Sequence, residues 1–428
     1  MIMAISSAKI AFYIGLKNSK STLANADLSI GNPGVGGTQY LFLLTVKEYN
    51  RTYGDRQAIL LTDGVFGLND NDIPVLVVGS EKKAVEYCEK ENVDWLVFNA
   101  NVLDRISGSV FDTDVKIAAW AHNTLSRKRQ IIAANKKSIQ RVVCVSESQY
   151  NNMKDTPCWE KCTYINNVVP IEFCKSATIS THEKPIAVYV GSVMPQKGVH
   201  NLLEIWKFVE KEVPTAQLLI FGGANVWNPS AKLGSKGAGD IYYDRVIQRR
   251  LDRLDHPENI HFMGAKGWKE IDKMISDARV GIVNPSHYMR DETFCMSAVE
   301  MEVHGIPVVS RQRHDGLNTS IAHGKTGFLE KTDKEVSACI VELLTNRELS
   351  TKMGMAAKTY AEQFVPDNEL HKWKSMAEDS TKYIECGKNR AFVSNDARLL
   401  WHDFILKIGF LFESGKGIDL VLSKLRRK

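Results

Sequence analysis

The sequence predicts an α/β protein made of two β/α halves, each built around a parallel sheet. Three observations lead there. Short apolar runs rich in β-branched and aromatic residues alternate with longer amphipathic or polar stretches, the pattern of β/α units on a buried sheet. The alternation stops at one polar stretch and then restarts. The length, 428 residues, suits about two domains.

Taken in order, the first half opens with MIMAISSAKIAFYIGL. Its apolar run is short, lacks a basic lead and is broken by Lys9, so it reads as a first strand and not as a secretion signal. Buried strands are expected at 9–14, 57–62, 74–78, 94–98, 115–121 and 141–145. The stretch 174–185, CKSATISTHEKP, is polar and ends in proline, as a linker does. Strands are then expected at 186–191, 217–222, 259–264, 278–284 and 306–311. Leu202, Ile205, Trp206 and Val209 fall at helical spacing, so this helix buries one face. The section 223–250 contains a Gly/Ser-rich run and reads as a mobile loop. The resulting boundaries are 1–175 for a first domain, 184–365 for a second and 366–428 for C-terminal helices with a basic tail.

Composition excludes several classes. Hydrophobic residues make up 44% and charged residues 25%, ordinary for a globular protein. A net charge of +5 is too weak to imply nucleic-acid binding, though it suits anionic substrates or an acidic membrane. Eight cysteines lie scattered with no C-x-x-C, so free thiols in a reducing cytoplasm are expected and no metal site is read. No run of about eighteen apolar residues is long enough to cross a membrane. Asp112-Thr113-Asp114 precedes a strand and reads as loop. Gly324-Lys325-Thr326 lacks the upstream glycine of a P-loop.

The residues with chemistry gather at strand ends, where open α/β sheets bind ligands. In DETFCMSAVEMEVHGIPVV, 291–309, Glu292 and Glu300 flank seven residues at the start of an apolar helix. The helix is expected to begin near Asp291 to Thr293. Its free N–H groups there, over Thr293, Phe294 and Cys295, would meet an anion such as a diphosphate, with Arg290 beside them. The two carboxylates would then differ by roughly 12 Å along the axis, a span for an extended ligand. The competing account is two solvated glutamates at a chance spacing.

DETFCMSAVE resembles the E-x7-E motif of retaining glycosyltransferases of family 4, which have the GT-B fold of two Rossmann-like domains facing a central cleft. YVGSVMPQKGVHNLL (189–203), IFGG (220–223), NIHFMG (259–264), VNPS (283–286) and GIPVVSRQRHDGLNTSIAHGKTGFL (305–329) resemble further family segments in the same order. Together they cover about residues 184–330. The resemblance implies that Glu292 touches the donor sugar, that Glu300 hydrogen-bonds the nucleotide ribose, and that Lys197 binds the donor phosphates. The family arginine after the strand glycine is Ser192 here, which shifts more of that work to Lys197, backbone N–H groups or Arg290. HDGL, 314–317, keeps Gly316 alone where the family has a glycine pair.

The first half matches less fully. GNPGVGGTQYLFLL, 31–44, resembles the family's glycine-rich loop, with Gly36 and Gly37 in place near phosphates and acceptor, and Thr38 expected as N-cap. WAHN, 120–123, resembles a strand end whose histidine, His122, lies near sugar and acceptor. CVSESQ and INNVVP resemble junction segments. The last helices of this fold cross back to the N-terminal domain. Residues 399–412 are aromatic and apolar, and 414–428 carry five basic residues against one acid. Core packing and docking on an anionic membrane are both open for this end.

The implied activity is transfer of a sugar, from a UDP-sugar first, to a hydroxyl of a glycan or lipid-linked acceptor. It would proceed with retention, without resident metal or cofactor, in the cytoplasm or at the inner membrane face. A sugar-nucleotide epimerase of the same fold and a non-catalytic nucleotide-sugar-binding subunit remain as alternatives.

Overall fold

The structure, a computed structural model, describes residues 9–16, 23, 26–54, 56–65, 67, 68, 70, 72–224, 233–287, 292–312, 315–378, 404, 405, 408, 409 and 411. They form two units. The described residues within 9–176, 292–296 and 362–378 belong to the first; those within 177–287 and 297–361, with 404, 405, 408, 409 and 411, belong to the second.

The first unit carries β1 (Ile10–Ile14), β2 (Ala58–Thr62), β3 (Val75–Val77), β4 (Trp95–Asn99), β5 (Lys116–Ala121), β6 (Ile139–Cys144) and β7 (Cys162–Tyr164). They form one sheet in the order β3-β2-β1-β4-β5-β6-β7, parallel throughout. β1, β2 and β4 are covered on both faces, which is why they read as continuous apolar runs. The helix Gly37–Tyr53 packs against this sheet: Phe42 meets Phe12 edge-on at 6.2 Å and Trp120 at 4.8 Å. The helix Pro366–Ala377 returns to the same core, where Trp373 lies 5.3 Å from Phe12 and 5.0 Å from Trp120. Glu369 on it accepts from the backbone N–H and side-chain amide of Asn166, at 3.0 and 2.9 Å.

The second unit carries β8 (Ile186–Val190), β9 (Gln217–Phe221), β10 (Ile260–Gly264), β11 (Val280–Ile282), β12 (Val308–Arg311) and β13 (Gly327–Glu330). Their order is β10-β9-β8-β11-β12-β13, again all parallel. The helix Val199–Glu212 buries Leu202, Ile205, Trp206 and Val209, the face its spacing predicts.

Four expectations need correction. β3 is an edge strand, not a buried one: Val75 and Val77 are 36% and 46% exposed. Two strands escaped notice, β7 and β13, because three or four residues are too few to show a period. The section 223–250 is not one loop. The helix Ile241–Leu251 fills its end, capped by Asp240 and burying Tyr243, Val246, Ile247 and Leu251, while 225–232 lie outside the described residues. Finally, the polar linker is pinned. Thr178 bonds Asp272 through its N–H and hydroxyl, both at 2.8 Å, and the Ser180 hydroxyl donates to Ala278 O at 2.6 Å. Its polar side chains bind a neighbouring surface of the second unit.

Candidate functional site

In the second unit β8 ends at Val190, and the chain turns through Gly191, Ser192 and a short 3-10 turn, Pro195–Lys197, into the helix Val199–Glu212. Two tyrosines hold that turn from beneath. The Tyr189 hydroxyl shares its proton between the carbonyls of Ser192, at 3.4 Å, and Lys197, at 3.3 Å. Tyr243 donates to Met194 O at 3.2 Å. The Ser286 hydroxyl, just past β11, reaches Pro195 O at 3.4 Å.

Gly198 closes the turn with φ +81°, and a β-carbon there would stand 2.4 Å from Ser286 Cα and N. No L side chain fits both the backbone angle and that approach. A β-carbon on Gly222 would meet Gly191 O at 1.8 Å. The strand ends of β8, β9 and β11 are thus drawn together, with Ser192 and Lys197 half-buried on their rim.

The helix behind the two glutamates begins later than its sequence predicts. It runs Met296–Val303, so Glu292, Thr293, Phe294 and Cys295 precede it in irregular backbone. The axial spacing of roughly 12 Å, which assumed one helix, does not apply. The physical reason is packing within the first unit. The Thr293 hydroxyl donates to His122 O at 2.7 Å, and Ser146 Oγ donates to Thr293 O at 2.6 Å. Phe294 packs edge-on against Phe364 at 5.1 Å. The side chains of Thr293, Phe294 and Cys295 are buried, so from this segment only backbone groups and half-buried Glu292 are left to face a ligand.

Glu300 lies on the helix itself, in the second unit, and is 5% exposed. Burial raises its pKa to about 7, partly offset by a hydrogen bond from the Trp268 indole. Two residues on, on roughly the opposite side of the helix, Glu302 is fully buried. Desolvation pushes its pKa well up, Thr326 pulls it back in part, and neither carboxylate oxygen has a partner in hydrogen-bond geometry among the described residues.

In the first unit His122 follows β5, 8% exposed, with its ring 4.2 Å from Trp120 and 5.8 Å from Phe42. Burial lowers its pKa to about 3, so the ring is neutral at physiological pH, and its Nε2 is a buried atom with no partner among the described residues. A neutral imidazole of this kind can accept from, or donate to, a sugar hydroxyl. Gln149 braces the same strand end, donating to Ala121 O at 2.9 Å while its oxygen accepts from Val145 N at 2.8 Å.

Gly36 and Gly37 open the helix Gly37–Tyr53, and a β-carbon on Gly37 would meet nothing within 4 Å, so the backbone there is approachable. Thr38 is not the cap: Gly36 holds that position and Thr38 is buried inside the first turn. Arg290 and the tail 414–428 lie outside the described residues.

The structure therefore gathers Ser192, Lys197 and Glu300 in one unit, and Gly36, Gly37, His122 and Glu292–Cys295 in the other. Sequence reading missed Tyr189, Tyr243 and Ser286, which hold the Lys197 turn, and Trp268, which bonds Glu300. Ser286, inside VNPS, and Tyr189, at the head of YVGSVMPQKGVHNLL, lay within motif segments; Tyr243 and Trp268 did not. A tyrosine on a buried strand or helix looks like core until its hydroxyl is traced.

Two Rossmann-like parallel-sheet units of this kind have the GT-B fold. Residues 172–360 match the family described as glycosyl transferases group 1. The chain is similar to the trehalose synthase of Pyrococcus horikoshii, 28% identical over 176 residues, 41% of this chain and 39% of that one. The trehalose synthase of Thermococcus litoralis is 23% identical over 200 residues, 45% of this chain and 44% of that one. The matches span less than half the length of these curated relatives. Among solved structures, Anabaena HepE in complex with UDP has a TM-score of 0.65 at 16% identity, over 87% of this chain and all of that one. The sucrose-phosphate synthase of Thermosynechococcus elongatus has a TM-score of 0.64 at 15% identity, over 86% of this chain and 98% of that one. At these identities the structural likeness is one of fold.

Proposed function

We propose that the protein is a retaining glycosyltransferase that moves a sugar from a nucleotide sugar, a UDP-sugar first, to a hydroxyl of a glycan or lipid-linked acceptor. The observation that carries this is Glu300: a buried carboxyl held by Trp268, inside a group 1 glycosyltransferase domain. Burying a carboxyl without a ligand to meet costs stability, which argues for use rather than chance. HepE was solved with UDP and with UDP-glucose, which supports UDP as the first nucleotide to try.

In this reading Glu300 accepts from the ribose. Lys197 and the backbone N–H groups of its turn meet the diphosphate as charge develops on the leaving group. Glu292 contacts the donor sugar, and the neutral His122 orients a hydroxyl. No resident metal is called on. Retention places the acceptor on the face the nucleotide leaves, with the departing phosphate taking the acceptor proton. The work sits in the cytoplasm or at the inner membrane face, with 414–428 as the membrane contact.

The test is nucleoside diphosphate release from UDP-, GDP- and ADP-sugars by the purified protein beside Glu292→Ala. Release from one donor, lost in the variant, is expected. An intact, epimerised nucleotide sugar as product, or tight donor binding with no release even when glycan acceptors are supplied, would overturn the reading.

A further inference from the structure

We infer that buried His304 and the partly exposed Asp272 form an imidazolium–carboxylate pair that positions Trp268 on the Glu300 carboxyl and so sets how the site grips a ribose. The inference rests on the reading of Glu300 as the ribose contact.

The proton inventory follows from geometry. His304 is fully buried. Its Nδ1 lies 2.7 Å from Glu300 O, and a carbonyl can only accept, so Nδ1 carries a proton. Its Nε2 lies 3.0 Å from Asp272 Oδ1. Asp272 also accepts from the Thr178 N–H and hydroxyl, both at 2.8 Å, and a carboxyl receiving such donors on both oxygens is ionised. Nε2 therefore donates as well, and the ring carries both protons. Burial alone would raise the Asp272 pKa, but the hydrogen bonds from His304 and Thr178 prevail and hold it near 2.

The pair does not end there. The Trp268 ring stacks on His304, with centroids 5.1 Å apart and planes 23° from parallel. A cation over an indole face favours one ring placement. That placement sends the indole N–H to Glu300, whose own carbonyl is held by the same imidazole. Glu300 is thus fixed at both ends, backbone and carboxyl, by one charged pair. Trp268 and Asp272 stand one turn apart on the helix Trp268–Met274, which faces one side of the ring with the stack and the other nitrogen with the charge.

The experiment measures binding of UDP and of 2′,3′-dideoxy-UDP by calorimetry, and reads their ratio. A carboxyl that accepts from a ribose hydroxyl favours UDP by about tenfold or more, since charged hydrogen bonds contribute roughly 1.5–3 kcal/mol. Wild type should show that preference and Glu300→Gln should lose most of it. Asp272→Asn, which keeps the side-chain shape, and Trp268→Phe, which keeps an aromatic face but loses the N–H, should each reduce the ratio to about twofold. A merely structural role would weaken both ligands together and leave the ratio unchanged. A full ratio in folded Asp272→Asn and Trp268→Phe, with Glu300→Gln impaired, overturns the positioning pair alone. A wild type that binds both ligands equally overturns the ribose reading of Glu300 and the pair with it.

Discussion

The Thr293 hydroxyl donates to the carbonyl of His122 at 2.7 Å, joining the residue beside one candidate glutamate to the histidine at a strand end 171 positions away in the chain. Ser146 adds a second bond to the same residue, on its carbonyl. Glu292 thus stands next to a residue anchored from two sides, ahead of the helix that begins at Met296.

Thr293→Val keeps the shape and removes that donor. The buried His122 carbonyl loses its partner, at a cost of about 1–3 kcal/mol. Thermal unfolding should shift down by about 2–4 °C per kcal/mol, and donor hydrolysis should fall as Glu292 loosens. A melt and a release assay indistinguishable from wild type would show that the bond holds nothing.

Glu302 gives a pH dependence. Its folded pKa stands well above 4.5, so the native state keeps a proton that the unfolded chain gives up. Its contribution is fully present below pH 4.5 and is lost as pH rises. Glu300, raised to about 7, adds a loss in the same direction between 4.5 and 7. Glu302→Gln should flatten the decline of stability over that range. Glu302→Met should raise stability at pH 8 by about 1–3 kcal/mol, since it removes an unsatisfied buried group. Denaturant melts across pH measure both; equal slopes in wild type and Glu302→Gln would refute the assignment.

The C-terminal segment makes a membrane prediction. Phe404 and Ile405 are 50% and 52% exposed, and the basic residues of 414–428 follow them. Deleting 414–428 should abolish flotation with vesicles of about one-third anionic lipid while leaving donor hydrolysis in place, because each basic residue near such a surface contributes about 1 kcal/mol. Flotation that survives the deletion removes the idea.

The fold was legible in the sequence because buried parallel strands must be apolar on both faces. β1, β2, β4 and β8 announce themselves as runs of such residues, and the polar break at 174–185 separates the halves. The spacing of Leu202, Ile205, Trp206 and Val209 was enough to predict a buried helix face. The glutamate pair and Lys197 stood out as candidates through motif order along one stretch of chain.

Other features were decided only in three dimensions. Helical spacing could not say that the helix waits until Met296, because Thr293 is held by partners at positions 122 and 146. His304 and Asp272 are 32 residues apart, and each alone is an ordinary polar side chain. A hydrogen bond depends on distance and direction between groups that the chain brings together from afar. Sequence determined which residues could be buried and which could carry charge; tertiary packing decided which of them meet.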